Sequence, residues 1–236
     1  MNSKLLITGE NGFLAQNMIN FFFNKNYDVF IIVRNLNCYK IENSNKFVNK
    51  YIKTKSNLPT KLDSVIHCAG EAHSNLINSS KFNEEKKFTK YVIDLCIKKN
   101  VKSFFYISSA KVNVDFTKKI EIINEHSNYK SRSFYANHKL DTEQIILRYL
   151  KNSKINSYIF RLPLVIGPNA KGNLLRLYQY IKTNLPIPVI NTNNKRSFIS
   201  TNNLNLLIHK VLTSNIIFKP GTFLICNDEK LSTLEL

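Results

Sequence analysis

The first fifteen residues of the chain constrain it more than any later stretch. An apolar run, Lys4-Leu5-Leu6-Ile7-Thr8, breaks into Gly9-Glu10-Asn11-Gly12 and resumes as Phe13-Leu14-Ala15, after which apolar residues recur at Met18 and Phe22. A short apolar run is the pattern of a buried strand, and the i, i+4 recurrence is that of a helix with one apolar face. Glycine stands at the two positions where a strand must turn sharply into a helix and let backbone come close to a bound group, and Ala15 is small enough for close packing of helix on strand. A second apolar run, Val29 to Val33, completes strand, turn, helix and strand. In that arrangement the unpaired N–H groups at the start of the helix face outward, which favours phosphate. The turn therefore predicts a mononucleotide-binding unit at the start of the chain.

The alternation continues. Strands are expected at Val65 to His67, Phe104 to Ser108 and Tyr158 to Leu162, with helices near Glu84 to Lys99 and Tyr135 to Lys151. Strands alternating with helices bury a parallel sheet between two helical layers, so the fold class is α/β, a doubly wound sheet of Rossmann type. From Gly167 the pattern loosens: Pro163, Pro168, Pro186 and Pro188 punctuate it, Asn191 to Asn194 reads as loop, and only Leu204 to Leu212 reads as firmly helical. The expected organisation is a dinucleotide-binding domain over residues 1–166 and a smaller, irregular substrate lobe over residues 167–236. Phe21-Phe22-Phe23 is read as packing of the first helix on the sheet.

Composition narrows the classes. The 236 residues carry a formal charge of +18, but the lysines are scattered singly or in pairs, as at Lys86/Lys87, Lys98/Lys99 and Lys118/Lys119. No motif of a nucleic-acid reader accompanies them, so no nucleic-acid partner is expected. Cys38, Cys68, Cys96 and Cys226 form no CxxC pair, and His67, Cys68 and His73 lack a third ligand at a suitable spacing, so neither a metal nor a disulfide framework is predicted. No apolar run approaches the roughly 20 residues that span a bilayer, and no secretory leader opens the chain, so the expected setting is the cytoplasm.

The candidate chemistry lies in Tyr135-Ala136-Asn137-His138-Lys139. An i, i+4 pair sets phenol and ammonium one above the other on one helix face, and a nearby positive charge favours the phenolate. Tyr135 is then a usable acid/base. Ser108-Ser109 closes an expected strand, and ligands of open α/β sheets gather at the C-terminal ends of strands. Ser109 is the candidate hydrogen-bond partner of the substrate oxygen, whereas strand-end capping accounts for Ser108. The second strand closes on Val33-Arg34-Asn35, with no acid to hold a ribose 2′-hydroxyl and with an arginine that suits a 2′-phosphate, so NADP(H) is favoured over NAD.

These residues resemble the extended short-chain dehydrogenases/reductases. Thr8 to Ala15 is similar to that family's TGxxGxxG turn, Val65-Ile66-His67-Cys68-Ala69-Gly70 to its cofactor-lining strand, and Val101 to Val112 to its serine strand. Tyr135/Lys139 is similar to its YxxxK pair, and Arg161-Leu162-Pro163 through Gly167-Pro168 to its RxxxVxGP segment. The strings VIHCAGEAH, SSAKVN, GPNAKGN and NKRS look like a bacterial subgroup of UDP-glucose 4-epimerase-like enzymes and 4-ketoreductases. The resemblance implies Ser109, Tyr135 and Lys139 as catalytic residues, and a cofactor held by Thr8, Gly9, Asn11, Gly12, Phe13, Leu14, Arg34, Cys68, Ala69, Gly70, Tyr135, Lys139 and Pro163. It implies a UDP-sugar bound by Ser109, Lys111, Asn173 and Arg196, for surface polysaccharide synthesis. Epimerase, reductase and dehydratase remain open, as do a homodimer and a non-catalytic NADP-binding module.

Two departures stand out. The family's helix before the serine strand carries an asparagine that organises the site, where this chain has Glu85; Thr89, one turn on, is retained. A carboxylate there is expected to oppose phenolate formation on Tyr135. Family members also continue for several dozen residues past the stretch that ends at Leu236, so the substrate lobe is expected to be partial.

Overall fold

The computed structural model describes residues 2–32, 58–70, 79–114, 122–125, 127, 133–170, 173–183, 195–214, 218–232 and 235. Six parallel strands form its centre: β1 (Lys4–Thr8), β2 (Asp28–Ile31), β3 (Ser64–His67), β4 (Ser103–Ser109), β5 (Asn156–Leu162) and β8 (Gly221–Leu224). They lie side by side in the order β2-β1-β3-β4-β5-β8. The chain runs from β1 outward to β2, then returns past β1 to β3, so the connections reverse between β1 and β3. Such a switch point leaves a crevice beyond the C-terminal ends of the strands.

Strand residues point alternately to two faces, and both faces are covered. Leu5, Ile7, Phe105, Ile107, Tyr158 and Phe160 pack on one side with Met18 and Phe22 of α1 (Phe13–Asn24) and Leu204 and Ile208 of α5 (Thr201–Thr213). Leu6, Val65, Phe104, Tyr106 and Ile159 pack on the other with Val92, Ile93 and Cys96 of α2 (Ser79–Lys98) and Ile146 and Leu150 of α3 (Phe134–Leu150). Each fully buried Leu, Ile or Phe stabilises such a core by roughly 1.5–3 kcal/mol. The doubly wound parallel sheet read from the sequence is the sheet found. Phe22 is fully buried, and Phe21 and Phe23 flank it against the same cluster.

Asparagine sets two of the returns from helix to strand. Asn26 (φ 60°) ends α1 and Asn100 (φ 49°) ends α2, each in the left-handed conformation that asparagine tolerates better than most residues. Part of the chain's richness in asparagine thus has a local structural use.

The stretch from residue 167 contributes to both sheets. β6 (Leu164–Ile166) pairs in parallel with β7 (Arg196–Ser200), and β7 pairs antiparallel with β9 (Lys230–Leu231). β8 extends the main sheet beside β5. Two differences from the sequence reading exceed a few residues. α2 begins at Ser79, about a turn earlier than Glu84, because Phe82 is buried against Phe134 and His138 at ring separations of 4.9 and 4.2 Å. The second difference is α4 (Asn173–Lys182), which the sequence reading left irregular although the interval between Pro168 and Pro186 is long enough for a helix.

Candidate active site

At the C-terminal end of β1 the chain turns through Gly9 with φ +81°. A Cβ there would lie 2.9 Å from the backbone of both Cys68 and Ala69, so the turn sits against the segment that leaves β3. Positive φ and this close approach both call for glycine. Gly12 is the N-cap of α1, and its N–H donates to the Gly9 carbonyl at 2.7 Å. No side chain caps α1 and no acidic residue occupies its first turn. The N–H groups of that turn are thus left to an external acceptor, which is the electrostatics of a phosphate site. Asn11 and Gly12 are exposed and Phe13 and Leu14 half-buried. Thr8 differs from its neighbours: it is buried, and its hydroxyl is bonded to His67 Nδ1 at 2.7 Å.

Beyond β3, Cys68 is half-buried with its Sγ 3.5 Å from Met18 Sδ, Ala69 is buried, and Gly70 faces α3. Burial pushes the Cys68 thiol up to about 12, against a smaller opposing pull from Lys139. It is a packing group at neutral pH. A Cβ on Gly70 would stand 3.1 Å from Lys139 Nζ and 3.6 Å from Glu85 Oε2, so the ammonium, the carboxylate and the glycine backbone meet at one point.

Lys139 is 6% exposed, and its Nζ donates to the Ile107 carbonyl at 3.2 Å. It stands 5.0 Å from the ring centre of Tyr106 and 5.9 Å from that of Tyr135. Burial works against its charge. Charge interactions with the Tyr106 and Tyr135 phenolic groups in their ionised form, a hydrogen bond with Tyr106 and the Glu85 carboxylate outweigh it and hold the Lys139 pKa above its ordinary value. Tyr135 is half-buried at the start of α3, whose N-cap Ser133 accepts from the Ala136 N–H. A second ammonium, that of Lys111, lies 6.0 Å from the same ring. Lys111 belongs to a 3₁₀ turn over Ala110–Val112 that follows β4 directly, with Ser109 as its N-cap. The structure thus brings Tyr135, Lys139 and the Ser109–Lys111 segment together from α3 and the end of β4.

The two serines have different partners. Ser108 is buried and donates to Glu143 Oε1 at 2.5 Å. Ser109 is half-buried; its Oγ accepts from the Lys111 N–H at 3.3 Å, which leaves its own proton to donate elsewhere. Glu143 in turn receives a forked contact from Arg161, with Nε at 3.0 Å and Nη2 at 2.6 Å, while Arg161 Nη1 donates to Asn113 Oδ1 at 3.1 Å. Arg161 is 2% exposed and Glu143 1%. This clamp ties α3 to β5 and to the 3₁₀ turn. Sequence reasoning missed it, although an arginine inside the apolar strand Tyr158-Ile159-Phe160-Arg161-Leu162 signals a buried partner.

Glu85, one turn before Thr89 on α2, has its Oε2 2.8 Å from His138 Nε2. The carboxylate expected near Tyr135 is therefore paired with the histidine beside Lys139. A cavity of about 190 Å³ opens next to His138, between α2 and α3. Of the remaining candidates, Pro163 is half-buried between β5 and β6, Arg196 is exposed at the start of β7, and Asn173 opens α4. Arg34, Cys38 and His73 lie outside the described residues. Among the described residues no group of three or more His, Cys, Asp or Glu side chains is placed to hold a metal. Among them, too, no helix is long and apolar enough to cross a membrane.

A family model described as the NAD dependent epimerase/dehydratase family matches residues 5–226. The chain belongs to that family. Its resemblance to the extended short-chain dehydrogenases/reductases agrees with this membership. Among its relatives is a UDP-glucose 4-epimerase of Vibrio cholerae, 28% identical over 258 aligned residues that span all of this chain and 74% of that protein. The structure is similar to that of a UDP-N-acetylglucosamine 4-epimerase from Methanobrevibacter ruminantium M1 in complex with UDP-N-acetylmuramic acid, with a TM-score of 0.79, 20% identity, and coverage of 98% of this chain and 78% of that one. It is similar also to the UDP-glucose 4-epimerase of Thermus thermophilus in complex with NAD, with a TM-score of 0.78, 17% identity, and coverage of 97% and 79%. At those identities the two structures establish the shared fold.

Proposed function

We propose that this member of the epimerase/dehydratase family is an NAD(P)-dependent enzyme acting at C4 of a UDP-linked hexose or N-acetylhexosamine, as an epimerase or a 4-ketoreductase, in the making of surface polysaccharide. One observation supports the reading most: the uncapped N-terminus of α1 and the buried Lys139 beside Tyr135 both lie beyond the C-terminal ends of the parallel strands, around the switch point. The same uncapped turn, and the glycine whose missing Cβ admits close backbone approach, fit the pyrophosphate of a dinucleotide. Gly9, Asn11, Gly12, Phe13 and Leu14 would hold that end, Arg34 a 2′-phosphate, and Cys68, Ala69, Gly70 and Pro163 the path toward the nicotinamide.

The nicotinamide, when bound, supplies reversible acceptance of hydride from the sugar carbon. Tyr135 takes the proton of the 4-hydroxyl as that hydride leaves and gives it back on return; in a ketoreductase it donates to the 4-keto oxygen. Lys139 stabilises negative charge on the phenolic oxygen while the proton is away. Ser109 donates to the same sugar oxygen and holds it in line. Lys111, Asn173 and Arg196 would meet the UDP-sugar, with residues 167–236 as the substrate lobe apart from α5 and β8, which complete the main sheet and its core. The paired Glu85–His138 beside Lys139 is the feature that favours the second reading, a dinucleotide-binding module without turnover.

The test is turnover of UDP-glucose, UDP-N-acetylglucosamine and their 4-keto derivatives by the purified chain, with NAD, NADPH or neither added. Interconversion at C4 without added cofactor supports the epimerase, and NADPH-dependent reduction the ketoreductase. Tighter binding of NADPH than NADH is expected, reversed in Arg34→Asp; tighter NADH binding by the natural protein overturns the role of Arg34. Dinucleotide binding with no turnover on any UDP-sugar supports the module instead.

A further inference from the structure

His67 is fully buried at the end of β3 and takes no part in the proposed chemistry. Its two ring nitrogens are both engaged. Nδ1 lies 2.7 Å from Thr8 Oγ1 and Nε2 lies 2.9 Å from Thr89 Oγ1. The Thr89 hydroxyl has one proton, and it donates that proton to the Glu85 carbonyl, 2.9 Å away and one turn back on α2. Its oxygen must therefore accept from His67, which puts the ring proton on Nε2. Nδ1 is then the lone-pair nitrogen and accepts the Thr8 hydroxyl. A charged imidazolium would change this pattern, because Nδ1–H would take the Thr8 oxygen as its acceptor and the Thr8 hydroxyl proton would lose the acceptor it has here.

The surroundings also oppose a charge. His67 stacks on Tyr106 at 5.8 Å and lies near Phe88 and Phe104 at 5.9 and 6.0 Å. The Lys139 ammonium stands 5.0 Å from the centre of that same Tyr106 ring, so a second positive charge on His67 would lie against the same aromatic group. Burial among these rings favours the neutral imidazole further.

The two ends of this line matter. Thr8 is the last residue before Gly9, so its side chain fixes where the glycine turn leaves β1. Thr89 and the Glu85 carbonyl belong to the turn of α2 whose Glu85 carboxylate meets His138 and faces Lys139 across Gly70. We infer that His67 is a positioning residue, fixed as the neutral Nε2–H form, that locks the glycine turn to the helix framing Lys139. The two ends of the dinucleotide site are thereby set in one register. The dinucleotide site itself rests on the function proposed above; the protonation state of His67 does not.

Two measurements test it. In ¹⁵N NMR of the natural protein the His67 imidazole, assigned by its loss in His67→Gln, should show a protonated Nε2 and an unprotonated Nδ1 that do not change between about pH 5 and 8. A proton on Nδ1, or titration inside that window, overturns the inference. Thr89→Val keeps the branched shape but removes the acceptor; the orphaned Nε2–H should lower stability, and release of the glycine turn from its register with α2 should raise the Kd for NADH or NADPH by about tenfold. Turnover at saturating cofactor should change less than the Kd. His67→Gln, which keeps a donor toward Thr89, should bind the dinucleotide more tightly than His67→Phe. Unchanged affinity in Thr89→Val overturns the inference, whether or not His67→Phe folds. If the natural protein binds no dinucleotide at all, the proposed function fails while the NMR result still decides the state of His67.

Discussion

Glu85 lies where α2, α3 and the segment that leaves β3 come together. Read from the chain alone, it is a carboxylate where an asparagine is expected, near enough to Tyr135 to oppose its ionisation. In the structure its Oε2 is held by His138 at 2.8 Å and faces the Lys139 ammonium across Gly70. Glu85→Asn removes a negative charge from beside Lys139 while keeping an acceptor for the His138 N–H, which leaves more of the ammonium's field to the phenolic oxygen of Tyr135, so turnover at neutral pH should rise. A pH–rate profile of the variant against the natural protein checks this, and an unchanged or lower rate would mean that Glu85 does not govern the ionisation of Tyr135. The thiols make a separate prediction. Burial pushes Cys68 and Cys96 up from the ordinary thiol value of 9.0 to about 12. Both should escape alkylation in the native protein at neutral pH, while the exposed Cys226 reacts, as peptide mapping would show. The sign of the linkage is fixed: an unfolded chain loses these protons near pH 9 and the folded one only near pH 12. Stability is therefore full below about pH 9 and falls as pH rises toward 12.

Among the elements, the joint between α3, β5 and the 3₁₀ turn has the clearest energetic consequence. Arg161→Met strands the Glu143 carboxylate in a site 1% exposed, and removal of one partner of a buried pair costs about 3–5 kcal/mol. Urea unfolding should show that loss, with much of it recovered in the double variant Arg161→Met/Glu143→Gln; full stability of the single variant would contradict the clamp. The sequence does not display this joint, because its members come from three separate stretches of the chain, around Ser108–Asn113, at Glu143 and at Arg161, and only the fold gathers them. What the sequence does display is whatever is local. The β1 turn, the i, i+4 spacing of Tyr135 and Lys139, and the alternation that buries both sheet faces depend on near neighbours, and each was legible. α4 was not, because prolines on either side of it resemble the punctuation of a loop. The early start of α2 was not, because it depends on Phe82 meeting Phe134 and His138 from another helix.

At the scale of the whole molecule, the fold assembles one candidate site from segments far apart in sequence. The proposed phosphate-binding turn follows β1 and the proposed acid/base pair starts α3, and the reversal of strand order between β1 and β3 puts a crevice between them. The basic surplus of +18 needs no nucleic-acid partner in this account, since both proposed ligands are polyphosphates. The claim that rests on all of this is that Tyr135 exchanges the proton on the sugar oxygen. Tyr135→Phe keeps the ring, its packing and the Lys139 contacts to Ile107 and Tyr106, so it separates chemistry from binding. The decisive measurement is paired: dinucleotide affinity and UDP-sugar turnover of Tyr135→Phe against the natural protein. Affinity should change little and turnover should fall by roughly 10²- to 10⁴-fold, the loss that goes with a general acid/base. A Tyr135→Phe protein that binds the dinucleotide and turns over a UDP-sugar at the natural rate would contradict that role.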